Sequence, residues 1–154
     1  MEDKEKLHFK IGLSSASLTR YPEFQIKIND IEHVHETLSS TLTEYFEFDA
    51  ELSEGDHCLN ICFLNKTSTD TKTDDSGNIV EDMLLHVESI EIDEIDIGTL
   101  KWTASSYFPD YPDSYLDETQ KQIKELKGFV DLGWNGTWKL PFASPFYIWL
   151  LENL

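Results

Sequence analysis

Apolar and polar residues alternate along several short stretches of this chain. Phe24, Ile26 and Ile28 alternate with Gln25, Lys27 and Asn29, the period of a half-buried strand. The residues before it, up to Arg20, read as a mixed lead-in, and a polar segment follows through Ser40. From Leu42 to Leu52 the alternation returns, with Phe46, Phe48 and Ala50 on one face and Glu47, Asp49 and Glu51 on the other. Ser53-Glu54-Gly55-Asp56 has hairpin-turn chemistry, and Leu59, Ile61 and Phe63 supply the return strand.

Asn65 to Asp82 is a long polar stretch with the turn signal Ser76-Gly77-Asn78. Loops of this length inside a compact domain are usually functional or disordered. Beyond it come Met83, Leu85 and Val87, then Ile90, Ile92, Ile95 and Ile97, closed by Gly98. The alternation slips by one residue after Val87 and again after Ile92, and either slip marks a candidate β-bulge. Lys101 to Tyr115 is aromatic and proline-containing and reads as irregular. Leu116–Lys127 has room for one further short helix ending at Gly128. Gly133 to Trp138 leads into a last strand through Phe142. Ser144 and Pro145 then look like the N-cap and first residue of a closing helix, Pro145–Leu154. Many short strands with turn signals predict an all-β, jelly-roll β-sandwich with a short C-terminal helix, forming a single domain over residues 1–154.

Charge narrows the partners. The 30 acidic residues outweigh 12 basic ones, for a net charge of -18, which repels phosphate backbones and argues against nucleic acid. Most of these acids are expected to solvate the outer faces of strands. No apolar run is long enough to span a bilayer, and the charged stretch Met1–Lys10 does not resemble a signal peptide. Cys58 and Cys62, four apart on one strand, would stand about 13 Å apart on the same face, too far to pair. They are expected to be reduced and buried, as in a reducing compartment.

No nucleophile elbow, phosphate-binding glycine loop or HExxH motif is present, so an enzyme is not expected. His33 and His35 would share a face if they lay on a regular strand, and read as an ordinary surface pair or as metal ligands. The long loop raises the question of calcium, which takes several oxygen ligands. Asn65, Asp70, Asp74, Asp75 and Asp82 are the candidate ligands, although Lys72 and Asp75 stand where an EF-hand needs an acid and a glycine. The alternative is a solvated acidic loop. Asn65-Lys66-Thr67 and Asn135-Gly136-Thr137 match the N-glycosylation sequon, a match that reads as chance without a secretory signal.

The strand Leu59 to Asn65, the Asp/Thr/Gly loop Thr69 to Asn78, and the acid-led strand Asp82 to Gly98 closing on Asp-x-Gly resemble the calcium-dependent xylan-binding modules of carbohydrate-active enzymes. That resemblance implies calcium in the loop, engaging sugar hydroxyls. Tyr107-Phe108-Pro109, Tyr111-Pro112 and the ending Leu132 to Leu154 are similar to small proteins of tailed phages of marine bacteria. This implies a virion protein of a tail, baseplate or capsid surface, attached to host-surface glycans. Trp102, Tyr107, Tyr111 and Trp134, in loop-like sequence, are the candidate sugar platforms, with core packing as the alternative for each. For Trp134 and Trp138 the core is the favoured place. The alternatives are a structural virion adaptor with no ligand and, further off, a glycan hydrolase. The apolar closing helix Pro145–Leu154 is expected to meet either a second copy of the chain or another virion protein.

Overall fold

The computed structural model describes residues 4–16, 19–112 and 124–154. Thirteen strands, two helices and a 3-10 turn are found among them. β1 (Lys4–Ser15), β2 (Glu23–Ile28), β3 (Ile31–Thr37), β4 (Glu44–Ser53) and β5 (Gly55–Phe63) come first. A 3-10 turn (Ser68–Asp70), β6 (Thr71–Thr73), β7 (Ile79–Asp82), β8 (Leu85–Ile92) and β9 (Ile95–Asp96) follow. The rest comprises α1 (Leu100–Thr103), β10 (Ser106–Pro109), β11 (Leu126–Lys127), β12 (Asp131–Leu132), β13 (Gly136–Ser144) and α2 (Phe146–Asn153).

Two sheets make the β-sandwich. One runs β12-β8-β1-β4 with β9 beside β8, the other β11-β10-β13-β5-β2-β3, and a separate hairpin joins β6 to β7. The main strands mostly alternate between the two sheets along the chain, as in a jelly roll. Inner-face residues interdigitate between them. Leu7, Phe9, Ile11 and Leu13 of β1 are fully buried, as are Leu59 and Ile61 of β5 and Trp138 and Leu140 of β13. Phe9 meets Phe142 edge-on across the sandwich, with ring centroids 6.0 Å apart.

Several elements differ from the sequence reading. The supposed lead-in contains β1, a central strand paired with both β4 and β8. Its alternation of Leu7, Phe9, Ile11 and Leu13 with Lys6, His8 and Lys10 is as regular as that of any other strand. The polar segment before Ser40 contains β3, an edge strand. An edge needs few apolar side chains and benefits from charges that deter pairing with another chain, so its hydrophobic pattern is faint. β4 and β5 do not form a hairpin. β4 pairs with β1, whereas β5 pairs with β13 and β2. Ser53 to Asp56 is a corner between sheets, because each strand buries its apolar face against the opposite layer.

The two slips in the Met83–Ile97 alternation have different causes. Gly12 faces Ser89 and Leu13 faces Val87, so Glu88 is the extra residue of a β-bulge. After Ile92 the chain turns instead. Asp93 and Glu94 both adopt positive φ, 51° and 67°, the signature of a two-residue type I′ turn into β9.

Of the Leu116–Lys127 helix expectation, residues 116–123 lie outside the described part, and Leu126–Lys127 forms β11 against Ser106 and Tyr107. At the C-terminus, Ser144 ends β13 rather than capping a helix. Ser144–Pro145 is a cis peptide and Pro145 is extended. Glu5 caps α2 from across the sandwich, its Oε1 accepting from Phe146 N–H at 2.9 Å and from the Ser144 hydroxyl at 2.7 Å. Phe146 and Leu150 pack inward, and Tyr147, Ile148, Leu151 and Leu154 are exposed. Among the described residues, no helix is long and apolar enough to cross a membrane.

Cys58 and Cys62 are free thiols. They are half-buried rather than core, because Leu59, Ile61 and Phe63 take the inner face of β5 and leave the cysteines on the outer one. Burial raises the Cys58 thiol above its ordinary pKa, although Lys139 and a backbone bond oppose it.

Candidate functional site

Three segments meet where β5, β10 and β13 begin or end: the loop from Asn65 to Asp82, the residues after Pro109, and Trp134-Asn135 before β13. Asn135 holds them together. Its side chain accepts from Lys66 N–H at 2.7 Å and donates to Lys66 O at 2.8 Å, a two-point clasp on the backbone. Its carbonyl accepts from Asp110 N–H at 2.7 Å. The Trp134 indole N–H donates to Asp110 O at 3.1 Å, and Tyr111 stacks on Trp134 with centroids 6.2 Å apart and planes 26° from parallel. Both rings are half-exposed. Burial, and secondarily the Asp82 carboxylate, raise the Tyr111 hydroxyl above its ordinary pKa, which places Asp82 in the same cluster.

The long loop has structure of its own. Asp74 organises the β6–β7 turn, its Oδ1 accepting from the backbone N–H of Ser76 and of Asn78, both at 2.9 Å. These bonds, with the Asn78 one foremost, hold its carboxyl below the usual range. Gly77 takes φ 83° there, which favours glycine.

The remaining proposed calcium ligands, except Asp75, are committed elsewhere. Asn65 accepts from Glu23 N–H at 2.8 Å and donates to Tyr21 O at 3.1 Å. Asp70 takes a two-oxygen contact from one Arg20 nitrogen at 2.8 and 2.6 Å, and a bond from Thr67 N–H at 2.7 Å. Burial alone would raise its pKa, but Thr67 and Arg20 together hold it low. Asp82 receives the Lys66 ammonium and, at 2.7 Å, the Thr71 hydroxyl. Asp75 is exposed in the turn. Among the described residues, no three His, Cys, Asp or Glu side chains converge as a metal site. Asp70 and Asp82 are thus paired with cationic side chains of the chain itself. Both sequon asparagines, Asn65 and Asn135, are structural clamps.

Of the candidate platforms, Trp102, Tyr107 and Tyr111 separate. Tyr107 is core, 1% exposed, and pairs across strands with Trp138. It sits on the inward-facing phase of β10, so it offers no face to a ligand. Burial raises its hydroxyl well above the ordinary tyrosine range. Trp102 is 45% exposed but belongs to α1, ahead of β10, with Lys101 over its ring at 4.4 Å. Tyr111 follows β10, so the strand puts the two rings at opposite ends. Tyr111 pairs instead with Trp134, a platform candidate for which the sequence favours the core. Trp138 is in the core as expected. The Gly-Trp-Asn-Gly turn is the signal that makes Trp134 a candidate, because flanking turn residues keep a ring out of the regular inward phase.

The histidines do not form a site. Ile26 faces Val34 and Lys27 faces Glu32, so His33 is the bulged residue and stacks on Phe48 at 4.6 Å, whereas His35 meets Glu23 at 2.7 Å. A cleft of about 390 Å³ opens between β3 and β4 beside His33, Asp49 and His57.

His8 places one ring nitrogen 3.0 Å from Glu47 and the other 2.7 Å from Asp49. Both bonds raise its pKa above 6.5, while burial lowers that of His33. Proton-detected titration is expected to place the His8 midpoint above 6.5 and the His33 midpoint below it. The His8 contribution to stability is full below its unfolded pKa and fades as pH rises through the folded value. That of His33 is full above its unfolded pKa and fades as pH falls through the folded one. Coincident midpoints would contradict both environments.

No protein-family model and no curated protein sequence matches the chain. Two solved structures do. One is the selenomethionine form of vCBM60, described in a study linking two families of calcium-dependent carbohydrate-binding modules by circular permutation. Its TM-score is 0.57 at 10% identity, over 87% of this chain and 89% of that one. The other is vCBM60 in complex with galactobiose, with TM-score 0.52 and 9% identity over 88% and 97%. The chain has a carbohydrate-binding-module fold. At these identities the likeness establishes the fold alone.

Proposed function

We propose that this chain is a non-catalytic carbohydrate-binding module whose ligand surface is the loop cluster bearing Tyr111 and Trp134. The observation that carries the reading is a stacked, half-exposed aromatic pair fixed at one end of a carbohydrate-binding-module fold. Sugar rings present apolar C–H faces that suit flat aromatic surfaces, and nearby amides and carboxylates suit their hydroxyls. The galactobiose complex of the neighbour makes galactose-containing oligosaccharides the first probes.

Calorimetry and glycan arrays test the proposal. Trp134→Ala is expected to weaken binding by about tenfold or more, as for a central aromatic anchor. Trp102→Ala, at the other end of β10, should leave it unchanged. The reverse result would move the site to α1, and no binding by the wild type to any array glycan would remove the proposal.

The likeness of Tyr107–Pro112 and Leu132–Leu154 to small phage proteins supports a setting on a virion surface, with host-surface polysaccharide as the ligand. The exposed face of α2 supports docking there, to a virion protein or a second copy. Finding the chain in purified particles by mass spectrometry tests the setting. Its presence in particles without glycan binding would favour the purely structural adaptor.

A further inference from the structure

We infer that Lys66 and Arg20 supply, on the chain itself, the positive charge that a calcium ion would bring to the Asn65–Asp82 loop, so that the loop and the fold are calcium-independent. Lys66 is the central observation. Its side chain is 1% exposed, unusual for a lysine, and its ammonium contacts the Asp82 carboxylate. Thr71 donates to the same Asp82 oxygen. The Asn135 clasp on the Lys66 backbone fixes the root of the side chain, so the ammonium is delivered to one place.

Arg20 repeats the arrangement at the other proposed carboxylate. It contacts both oxygens of Asp70 and donates to Asn65 O at 2.9 Å, a carbonyl that would otherwise be open to a cation. Each of these two acids thus has one formal positive charge against it, and Lys72 stands 3.3 Å from Glu81 on the same hairpin. Calcium binds where oxygens converge with surplus negative charge. Entry here would require expelling a buried ammonium and breaking an arginine contact. A tethered cation also removes any dependence on free ion concentration, whereas a bound ion stabilises a fold only as its concentration exceeds its dissociation constant.

The experiment uses the whole chain. Melting temperatures in millimolar calcium and in excess chelator are expected to agree within about 1 °C, and calorimetric titration with calcium alone should be flat. Lys66→Met, which keeps the apolar stem and removes the charge, should lower the melting temperature by about 5 °C or more, equally with and without calcium. Lys66→Met/Asp82→Asn should recover part of that loss, because it removes the unpaired carboxylate. If Lys66→Met fails to fold, the double variant and the wild-type comparison still decide. A calcium-dependent rise of several degrees in the wild type, binding heat, or a Lys66→Met melt equal to wild type would overturn the inference. It does not rest on sugar binding: a chain that bound no glycan and ignored calcium would defeat the proposed function and leave this inference standing.

Discussion

Truncation after Ser144 is expected to produce the largest loss of stability. It removes α2, whose Phe146 is fully buried and whose Leu150 is nearly so. It also strips Trp149 from the edge of Phe142, 6.4 Å away between centroids. Each buried large apolar side chain is worth about 1.5–3 kcal/mol, so the loss should reach about 3–6 kcal/mol. Domains are stable by only about 5–15 kcal/mol, and for this size each kcal/mol moves the midpoint by about 2–4 °C. A melting temperature lowered by roughly 10–20 °C is the expected result by calorimetry. A truncated chain melting with the wild type would mean that α2 does not seal the core. Leu151→Glu separates this role from docking. Leu151 is 73% exposed, so the change should cost less than about 0.5 kcal/mol while disrupting any assembly through that face. Sedimentation of Leu151→Glu against wild type reads the second effect alone.

Gly136→Ala is expected to be the most damaging single-methyl addition. A Cβ at Gly136 would lie 2.3 Å from Phe108 O and 2.8 Å from Pro109 Cα. Both are backbone atoms of the paired strand β10, so neither can swing aside. β10 must move off β13, at a cost of about 3 kcal/mol or more. Because Asp110 and Tyr111 continue from β10, the displacement should also separate Tyr111 from Trp134 and weaken any glycan binding beyond what the lost stability explains. Gly77→Ala is the control. Its φ is 83°, with nothing within 4 Å of the added carbon, so only the conformational penalty of about 1 kcal/mol applies. Chemical denaturation of the two variants compares these costs directly, and equal losses would show that the close strand approach at Gly136 is relieved without strain.

The class of the fold was legible because period-two alternation is a local property. Phe24, Ile26 and Ile28, or Leu85 and Val87, carry their inward phase whatever lies opposite. The Glu88 bulge was legible for the same reason, since one extra residue reverses the phase that follows. β1 had an equally clear pattern, in Leu7, Phe9, Ile11 and Leu13, that the sequence reading passed over. β3 had little pattern to read, because an edge strand of charged residues buries few side chains.

What the sequence by itself determined is therefore the strand content, the acidic outer faces, the two-sided C-terminal helix and the free cysteines. Only the tertiary structure decided that β4 and β5 belong to different sheets, since a corner and a hairpin use the same turn residues. It alone decided that Tyr107 lies on the inward phase of a paired strand, and that Tyr111 and Trp134 meet just beyond the strands. It also decided the fate of the acidic loop. Asp70 and Asp82 look like cation ligands in sequence, and they are. Their cations are Arg20 and Lys66, 50 and 16 residues away, brought there by chain folding that local composition does not encode.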